Sequence, residues 1–348
     1  MNSVRPEFSI LIPTTGRAHL VRVAVESVLR QSVEDFEVLI ADAGEARETR
    51  QAAAGFGDRR IRYVETPDHN PSLGWDFAGK QANGEYLLWL DDDNYLLQFA
   101  LEVFHDAIAR THAEVITANH LYYYDGRYPR HNLRNSIGVV PFASDERPID
   151  TREVLRAVFA LGRRGSGLPL PRLHPAATIF SRRVVERAIL RLGYIQLPHM
   201  RTNQSIQPIL YAHAESCFFL DRPISIVGRL SVSVSQDWSR SARNHFKKVP
   251  FTPRLSPVIG DTRTNNAVES LLRAKEALPD LLGSYPLDYH RFLEFYVREL
   301  FFLDTDVETT IQNWRNLFVF LRTLPAKTQK TFRPLAWKLA VTIPFLFL

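Results

Sequence analysis

Short apolar runs alternate with amphipathic stretches along the first 124 residues of the chain. The apolar runs predict strands, and the stretches between them place their apolar residues on one helical face. Strands are predicted at residues 8–13, 36–44, 61–65, 85–90 and 113–124, and helices at 18–32, 45–57, 75–83 and 97–112. Strands that alternate with helices of about 10 to 15 residues indicate a mainly parallel α/β sheet, which binds ligands at the carboxyl ends of its strands.

The regular alternation ends near residue 126. Residues 126–171 are rich in Arg, Gly and Pro and predict irregular structure. A strand followed by a helix is predicted within 176–189, and a pair of strands, broken at 221–223, within 216–235. We place a boundary near residue 237, between an α/β domain (1–237) and a mostly helical region (238–348). Helices in that region are predicted at residues 267–278, 289–303 and 310–324.

Composition is that of a globular protein, with 45% apolar and 11% aromatic residues. The net charge of +5 is unevenly distributed, since residues 156–191 hold eight arginines and one acid. Residues 240–254 hold five Lys or Arg and no acid. Such segments suit phosphate-bearing ligands, nucleic acid or an anionic membrane, or they form solvated surface. The lone cysteine, Cys217, excludes an internal disulfide and a cysteine-rich zinc site, and we expect it in the core.

The two ends of the chain indicate where in the cell the protein is expected. The amino terminus lacks the pattern of a secretory signal, and no apolar run reaches the roughly 20 residues that span a bilayer. We therefore expect a cytoplasmic protein. Residues 327–348 place cations before an apolar end. This pattern suits either an interfacial helix, peripheral on the inner face of the cell membrane, or a last helix packed on the domain.

Three adjacent aspartates, Asp91 to Asp93, follow a predicted buried strand directly. Their like charges repel, and Asp91 and Asp93, at positions i and i+2, could bind one Mg²⁺ or Mn²⁺ together with substrate phosphates. The alternative is a helix cap, which needs only one such residue. Asp42 also ends a predicted strand, where it could bind a ligand or form a turn.

The segments "FSILIPTTGR", "VLIADAG" and "NGEYLLWLDDDN" resemble, in order and spacing, the pattern of glycosyltransferase family 2. The resemblance covers about residues 7–105, and more weakly extends to residue 235. It implies the GT-A fold, a Rossmann-like, mixed and mainly parallel sheet with flanking helices. The C-terminal helical extension is not covered.

The resemblance also implies roles for individual residues. Asp42 would receive the edge of a base such as uracil, and Asp76 stands near the donor diphosphate, where the family has asparagine. Asp93, with Asp91, would bind the Mn²⁺ or Mg²⁺ cofactor. The full set implied to bind the nucleotide-sugar is Pro13, Thr14, Thr15, Arg17, Asp42, Asp76, Asp91 and Asp92. Arg17 could instead be a surface charge at the start of a helix.

The catalytic base is less clearly marked. The family uses an aspartate, and counting back from the closing strands leads to residues 201–205, which hold no acid. Asp237 and Glu215 are our candidates for this role. Other residues within reach along the sequence are Asp221, His174 and His199.

We expect an inverting glycosyltransferase that moves a sugar from a nucleoside-diphosphate sugar, chiefly a UDP-sugar, to an acceptor hydroxyl. The acceptor would be a saccharide or a lipid-linked molecule of surface polysaccharide biosynthesis, and no nucleic-acid partner is expected. One alternative is a nucleotidyltransferase, which uses similar aspartates but attacks at phosphorus. The other is an inactive nucleotide-sugar binding protein, which a missing base would favour.

Overall fold

The computed structural model describes most of the chain. The described residues are 5–44, 47–67, 71–128, 131–139, 142, 145–162, 173–198, 200, 203–230, 254–258, 262–302 and 307–323. The predicted boundary near residue 237, the tail 327–348 and the candidates Asp237 and His199 lie outside them. No helix in the described ranges is both long and apolar enough to cross a membrane.

Ten strands form one sheet in the described part of the chain. They are β1 (Phe8–Thr14), β2 (Phe36–Asp42), β3 (Ile61–Glu65), β4 (Tyr86–Trp89), β5 (Asn94–Leu96), β6 (Val115–Tyr124), β7 (Ser136–Gly138), β8 (Glu146–Ile149), β9 (Thr178–Ser181) and β10 (Cys217–Arg229). Their order across the sheet is β3-β2-β1-β4-β9-β6-β10-β5, with β7 beside β6 and β8 beside β10.

Helices flank this sheet and continue beyond it. They are α1 (Ala18–Leu29), α2 (Arg47–Ala54), α3 (Pro71–Gln81), α4 (Ala100–Thr111), α5 (Thr151–Phe159), α6 (Arg182–Leu192), α7 (Ile206–Ala212), α8 (Arg263–Ala277), α9 (Pro279–Leu282), α10 (Tyr289–Phe302) and α11 (Val307–Thr323). The predicted mixed, mainly parallel sheet with flanking helices and a helical C-terminal region is confirmed.

The strand directions bring most carboxyl ends to one edge of the sheet. β1 pairs in parallel with β2 and β4, and β2 with β3. β9 runs antiparallel to both β4 and β6, and β10 is parallel to β6. Therefore β1 to β4, β6 and β10 all point the same way. Ligand sites in such sheets form at this carboxyl edge.

Two hydrophobic clusters cover the two faces of the sheet. Leu11 and Trp89 belong to a cluster that includes residues of α3, α5, α6 and α7. Ile10 and Ile12 belong to the other, with residues of α1 and α4. Every residue of β1 and β2 is buried, which is why these parallel strands appear in the sequence as nearly continuous apolar runs.

The structure corrects several predicted elements. β5 lies directly after the three aspartates, and the segment predicted to be irregular contains β7, β8 and α5. Helix α3 begins at Pro71, four residues before its predicted start at 75. The predicted strand pair is one strand, β10, whose pairing with β6 shifts register between Leu220 and Ser225. A β-bulge lets the strand pass Pro223, which has no N–H for the ladder.

The C-terminal helices pack directly on the α/β part. Leu271 and Leu278 share the hydrophobic cluster of α5 to α7. Arg191 of α6 forms an ion pair with Asp280 at 2.5 Å. Helices α10 and α11 form a further cluster with Val258 and Val268. Cys217 is a free, buried thiol, and burial raises its pKa to about 12, which confirms that it is a core residue.

We expect Gly84→Ala to lower the free energy of unfolding by roughly 1–3 kcal/mol. The Gly84 N–H donates to Ser9 Oγ at 2.7 Å, and a β-carbon there would lie 2.5 Å from the Ser9 nitrogen. β1 and the turn before β4 would have to separate. Thermal denaturation measures the effect. In the control, Gly74→Ala, the nearest atom is Thr66 Cγ2 at 3.7 Å, and no loss is expected. Equal losses in both variants would contradict this account.

Candidate functional site

The turn after β4 is held to the loop after β1 by one buried aspartate. The Leu90 N–H donates to the Leu11 carbonyl at 2.8 Å, directly before the aspartates. Asp92 Oδ2 accepts hydrogen bonds from Thr14 Oγ1 at 2.5 Å and Arg17 Nε at 2.9 Å. Arg17 Nη2 donates to Asp92 Oδ1. The two-point contact fixes the relative position of both loops.

Burial and charge act against each other at Asp92. The side chain is fully buried, whereas that of Arg17 is one-fifth exposed. Burial and the charge of Asp93 raise the pKa of Asp92 to about 6, although Arg17 and Thr14 favour the carboxylate. Both oxygens of Asp92 are therefore engaged by protein groups. Its predicted contact with the nucleotide-sugar remains a prediction.

Asp91 and Asp93 occupy the outer positions of the same turn. Both are partly exposed, while Asp92 between them is buried. The Asn94 N–H donates to the Asp91 carbonyl at 2.9 Å and closes the turn. Burial, followed by the charges of Asp93 and Asp92, raises the pKa of Asp91 well above its usual range. Burial thus alternates along the turn. Asp92 is enclosed by protein groups, whereas Asp91 and Asp93 are accessible.

These two carboxylates fit a divalent metal that shares its coordination with a ligand. Mg²⁺ usually binds through one or two carboxylates and completes its octahedron with water and phosphate oxygens. Among the described residues, no group of three or more His, Cys, Asp or Glu side chains is placed to hold a metal. Asp91 and Asp93 could therefore hold the ion only with help from a bound diphosphate.

Asp42 ties together the loops that follow β1 and β2. Its Oδ1 accepts the N–H groups of Gly16 and Gly44 at 3.0 and 2.8 Å, and its Oδ2 accepts the Tyr63 hydroxyl at 3.1 Å. Gly16 has φ +78°, and a β-carbon on Gly44 would lie 2.6 Å from the Gly16 nitrogen. These contacts are those of a turn-forming residue. The predicted contact of Asp42 with a base remains a prediction.

Asp76 connects α3 to the segment after α6. Its Oδ1 accepts the N–H groups of Ile195 at 2.7 Å and Gln196 at 3.3 Å, and its Oδ2 lies 2.6 Å from Lys80 Nζ. Buried Ser205 continues the connection, since its hydroxyl donates to Gln196 Oε1 at 2.9 Å. The proposed position of Asp76 near a diphosphate is not tested by these contacts.

The remaining predicted pocket residues lie at the end of β1. Pro13 is buried opposite Ala41 of β2, and Thr15 is partly exposed in the loop. The structure therefore brings Pro13, Thr14, Thr15 and Arg17 to the same sheet edge as the aspartates. This grouping follows from the parallel pairing of β1 with β4.

Glu215 lies at the other edge of the sheet. It precedes Cys217, the first residue of β10, which pairs with Val115, the first residue of β6. Its exposed carboxylate contacts Arg187 Nη1 at 3.2 Å. Because the aspartates follow the carboxyl end of β4, this placement corrects the prediction that Glu215 is the base. Asp221 is buried and accepts a hydrogen bond from Asn119 Nδ2.

A cluster of rings lies around β6, two strands from β5 and at the same sheet edge as the aspartates. The rings of His120 and His174 are 5.1 Å apart, and those of His120 and Tyr122 are 4.8 Å apart. The Arg229 guanidinium lies over the Tyr122 ring, 4.7 Å from its centre. Except for His174, these residues were not singled out in the sequence. The available signal was the i, i+2 spacing of His120 and Tyr122 on one strand face.

His174 is held as a neutral ring whose Nδ1 accepts a hydrogen bond from the backbone. Its Nδ1 accepts the Ala176 N–H at 3.2 Å, so the ring proton resides on Nε2. Burial, then His120 and Arg229, lower the pKa of His174 well below its usual range. To act as a base, the ring would have to give up its bond to Ala176. His174 is therefore better suited to donate a hydrogen bond to a ligand than to remove a proton.

We expect Arg17→Met to destabilise the protein by roughly 3–5 kcal/mol, because Asp92 would remain buried without its ion-pair partner. Chemical denaturation of Arg17→Met, Asp92→Asn and the double variant measures the pairing. The double variant should lose less than the sum of the single losses, with a coupling free energy of at least about 1 kcal/mol. Additive losses would mean that the ion pair contributes nothing to stability.

Asp91→Asn should raise the melting temperature of the metal-free protein near neutral pH, by at least about 2 °C. Because the folded-state pKa of Asp91 is raised, its charged form opposes folding above that pKa. Below the unfolded-state pKa both states are protonated, so the gain should disappear as the pH falls. Melting curves in EDTA across the acidic range test this expectation. A loss of stability, or a gain independent of pH, would contradict it.

Sequence comparison identifies the family of the chain. The sequence profile described as Glycosyl transferase family 2 matches residues 9–188, just over half of the chain. A GalNAc(5)-diNAcBac-PP-undecaprenol beta-1,3-glucosyltransferase from Campylobacter jejuni is 32% identical over 104 residues, which are 28% of this chain and 32% of that protein. The Escherichia coli UDP-Glc:alpha-D-GlcNAc-diphosphoundecaprenol beta-1,3-glucosyltransferase WfgD is 28% identical over 96 residues, 27% of this chain and 38% of that protein.

Structural comparison agrees on the fold. Residues 1–349 of Staphylococcus aureus TarS, solved in complex with UDP-GlcNAc, match with a TM-score of 0.60 at 16% identity. The match covers 92% of this chain and 82% of that chain. It confirms the predicted GT-A-like fold. The alignments with the two sequence relatives span only about a third of their lengths. The chain belongs to glycosyl transferase family 2.

Proposed function

We propose that this chain is an inverting, metal-dependent glycosyltransferase that moves a sugar from a UDP-sugar to a hydroxyl of a saccharide or lipid-linked acceptor. The observation that carries the proposal is the meeting of Thr14, Arg17 and Asp92 at one sheet edge, with Asp91 and Asp93 presented beside them. This arrangement suits a donor diphosphate and a divalent metal.

The relatives support the choice of substrates. The C. jejuni and E. coli enzymes are glucosyltransferases whose names specify undecaprenol-linked acceptors, and the second name specifies UDP-Glc. TarS was solved with UDP-GlcNAc and is named as a poly(ribitol-phosphate) beta-N-acetylglucosaminyltransferase. We therefore place the reaction in surface polysaccharide assembly, on the cytoplasmic side of the membrane.

The two accessible carboxylates would bind the metal, and the metal would stabilise the departing diphosphate. Asp93 and Asp91 would hold Mn²⁺ or Mg²⁺, which supplies Lewis-acid stabilisation of the departing diphosphate when bound. The buried contacts of Asp92 with Arg17 and Thr14 keep the turn fixed during the reaction. A fixed turn limits the reorganisation needed when charge develops on the diphosphate.

The acceptor hydroxyl needs a base on the opposite face of the sugar. Glu215 cannot serve, because it lies at the other edge of the sheet. His174 can donate from Nε2 and suits a hydrogen bond to the acceptor or to a phosphate oxygen. Asp237 remains our proposed base. Its replacement by Asn should abolish transfer while leaving donor binding intact.

UDP with Mn²⁺ should stabilise the protein by about 2.7 kcal/mol when UDP is roughly 100 times its Kd. This stabilisation should require the metal and should be lost in Asp93→Asn, because the diphosphate would then lack its metal bridge. Thermal-shift titration with UDP, with and without Mn²⁺, measures it.

Asp106→Asn is the matched control for the donor-site test, because it removes an exposed carboxylate on α4. It should behave like the unchanged protein. If no nucleoside diphosphate gave a metal-dependent thermal shift, the proposed donor site would be contradicted. The products separate the alternatives, since a sugar transferase releases UDP and a nucleotidyltransferase releases pyrophosphate. A binding protein would show the shift without turnover.

A further inference from the structure

One face of the sheet is apolar and partly exposed where β5, β10, β6 and β7 meet. Residues that pair directly across neighbouring strands point to the same face. We call this surface the apolar sheet face. Two rows of paired residues form it: Tyr95, Ile226 and Leu121, and beside them Gly228, Tyr123 and Ile137.

The side chains on this face are unusually open to solvent. Tyr123, Ile137 and Val139 are 38%, 57% and 62% exposed, and Phe142 nearby in sequence is 47% exposed. These are four of the eleven exposed large hydrophobic residues in the described part of the chain. On the opposite face of the same strands, Leu96 is fully buried. At β5, β10, β6 and β7 the sheet is therefore buried on one side and partly open on the other. Exposed apolar residues that are neighbours, as Tyr123 and Ile137 are across β6 and β7, mark interaction sites.

The apolar sheet face begins beside the candidate active site. Gly228 lies in the row with Tyr123 and Ile137, and its backbone packs against the turn of the aspartates. A β-carbon on Gly228 would lie 2.1 Å from the Asp93 carbonyl oxygen. The Gly228 N–H also donates to Asn94 Oδ1 at 3.1 Å. A partner bound to this face would lie next to Asp91 and Asp93.

The charged residues near the apolar sheet face indicate which type of partner it binds. Residues 126–139, which connect β6 to β7 and include β7, contain three arginines, one histidine and no acid. Arg127 and His131 are exposed. Exposed apolar side chains in a segment that also carries exposed cations, such as Arg127, suit an anionic lipid surface. A symmetric contact with a second copy would instead bring two sets of arginines together, which costs free energy.

We propose that the apolar sheet face, with Arg127 and Arg134, docks this protein on an anionic lipid bilayer. The aspartate turn at the carboxyl edge of the sheet would then lie close to the bilayer surface. The inference deepens the proposed function, on which it rests for the lipid-linked acceptor. An acceptor hydroxyl held near the headgroups would reach the aspartate turn without the lipid leaving the bilayer.

Vesicle flotation of the full chain tests the docking. The probes are vesicles of phosphatidylcholine alone and of phosphatidylcholine with phosphatidylglycerol. The full chain should bind the anionic vesicles, and Ile137→Ser with Val139→Ser should weaken the binding roughly tenfold or more, since two apolar side chains are removed. High salt and Arg127→Gln should also weaken it. Leu190→Ser on α6, where the side chain is 86% exposed, is the matched control and should bind normally.

Each outcome of this experiment decides a separate question. Equal vesicle binding by the double variant and the unchanged chain would overturn the proposal, as would the absence of binding or equal binding to neutral vesicles. A dimer that becomes a monomer in the double variant, with vesicle binding unchanged, would assign the face to self-association and also overturn it. The UDP- and Mn²⁺-dependent thermal shift of the double variant should be unchanged. If neither the unchanged chain nor any variant showed this thermal shift, the result would contradict the proposed function and not the docking proposal.

Discussion

The buried contact between Arg17 and Asp92 is the constraint on which the candidate site depends. Three consecutive carboxylates at the end of a buried strand would repel one another if all were charged and unpaired. Arg17 and Thr14 donate hydrogen bonds to the buried middle carboxylate, Asp92, and the outer two carboxylates remain partly exposed. The same contact joins the loop after β1 to the turn after β4. The stability of the turn and the accessibility of Asp91 and Asp93 therefore have one cause.

Two further acids of the candidate site also serve the scaffold in this structure. Asp42 accepts hydrogen bonds from Gly16, Gly44 and Tyr63, and Asp76 accepts them from the segment after α6. Carboxylates at the ends of neighbouring strands thus hold the loops that would surround a donor. Residues implied to bind the ligand can shape its pocket without touching it. Substitution of such residues would alter binding through loop position as well as through direct contacts.

The sequence predicted the parallel half of the sheet well, because strands such as β1 and β2 are buried on both faces and form apolar runs. It missed β5, β7 and β8, which have only three or four residues and are too short to show a period. It also misplaced Glu215, because the sheet edge at which this residue lies depends on the direction of β10 in the sheet, which the sequence does not show. The ring cluster of His120 and His174 depends on contacts between distant segments that no local pattern reveals.

The charges of the aspartate turn bear on how the proposed enzyme would handle its metal. Asp91, Asp92 and Asp93 carry three negative charges when ionised, and Arg17 offsets one of them. The remaining two charges match a divalent cation, but two carboxylates leave most of its coordination sites to water or phosphate. Metal affinity should therefore rise when a diphosphate is present, and diphosphate affinity should rise with metal by the same factor. The ion pair of Arg17 with Asp92 would thus set both the geometry of the turn and its dependence on the donor.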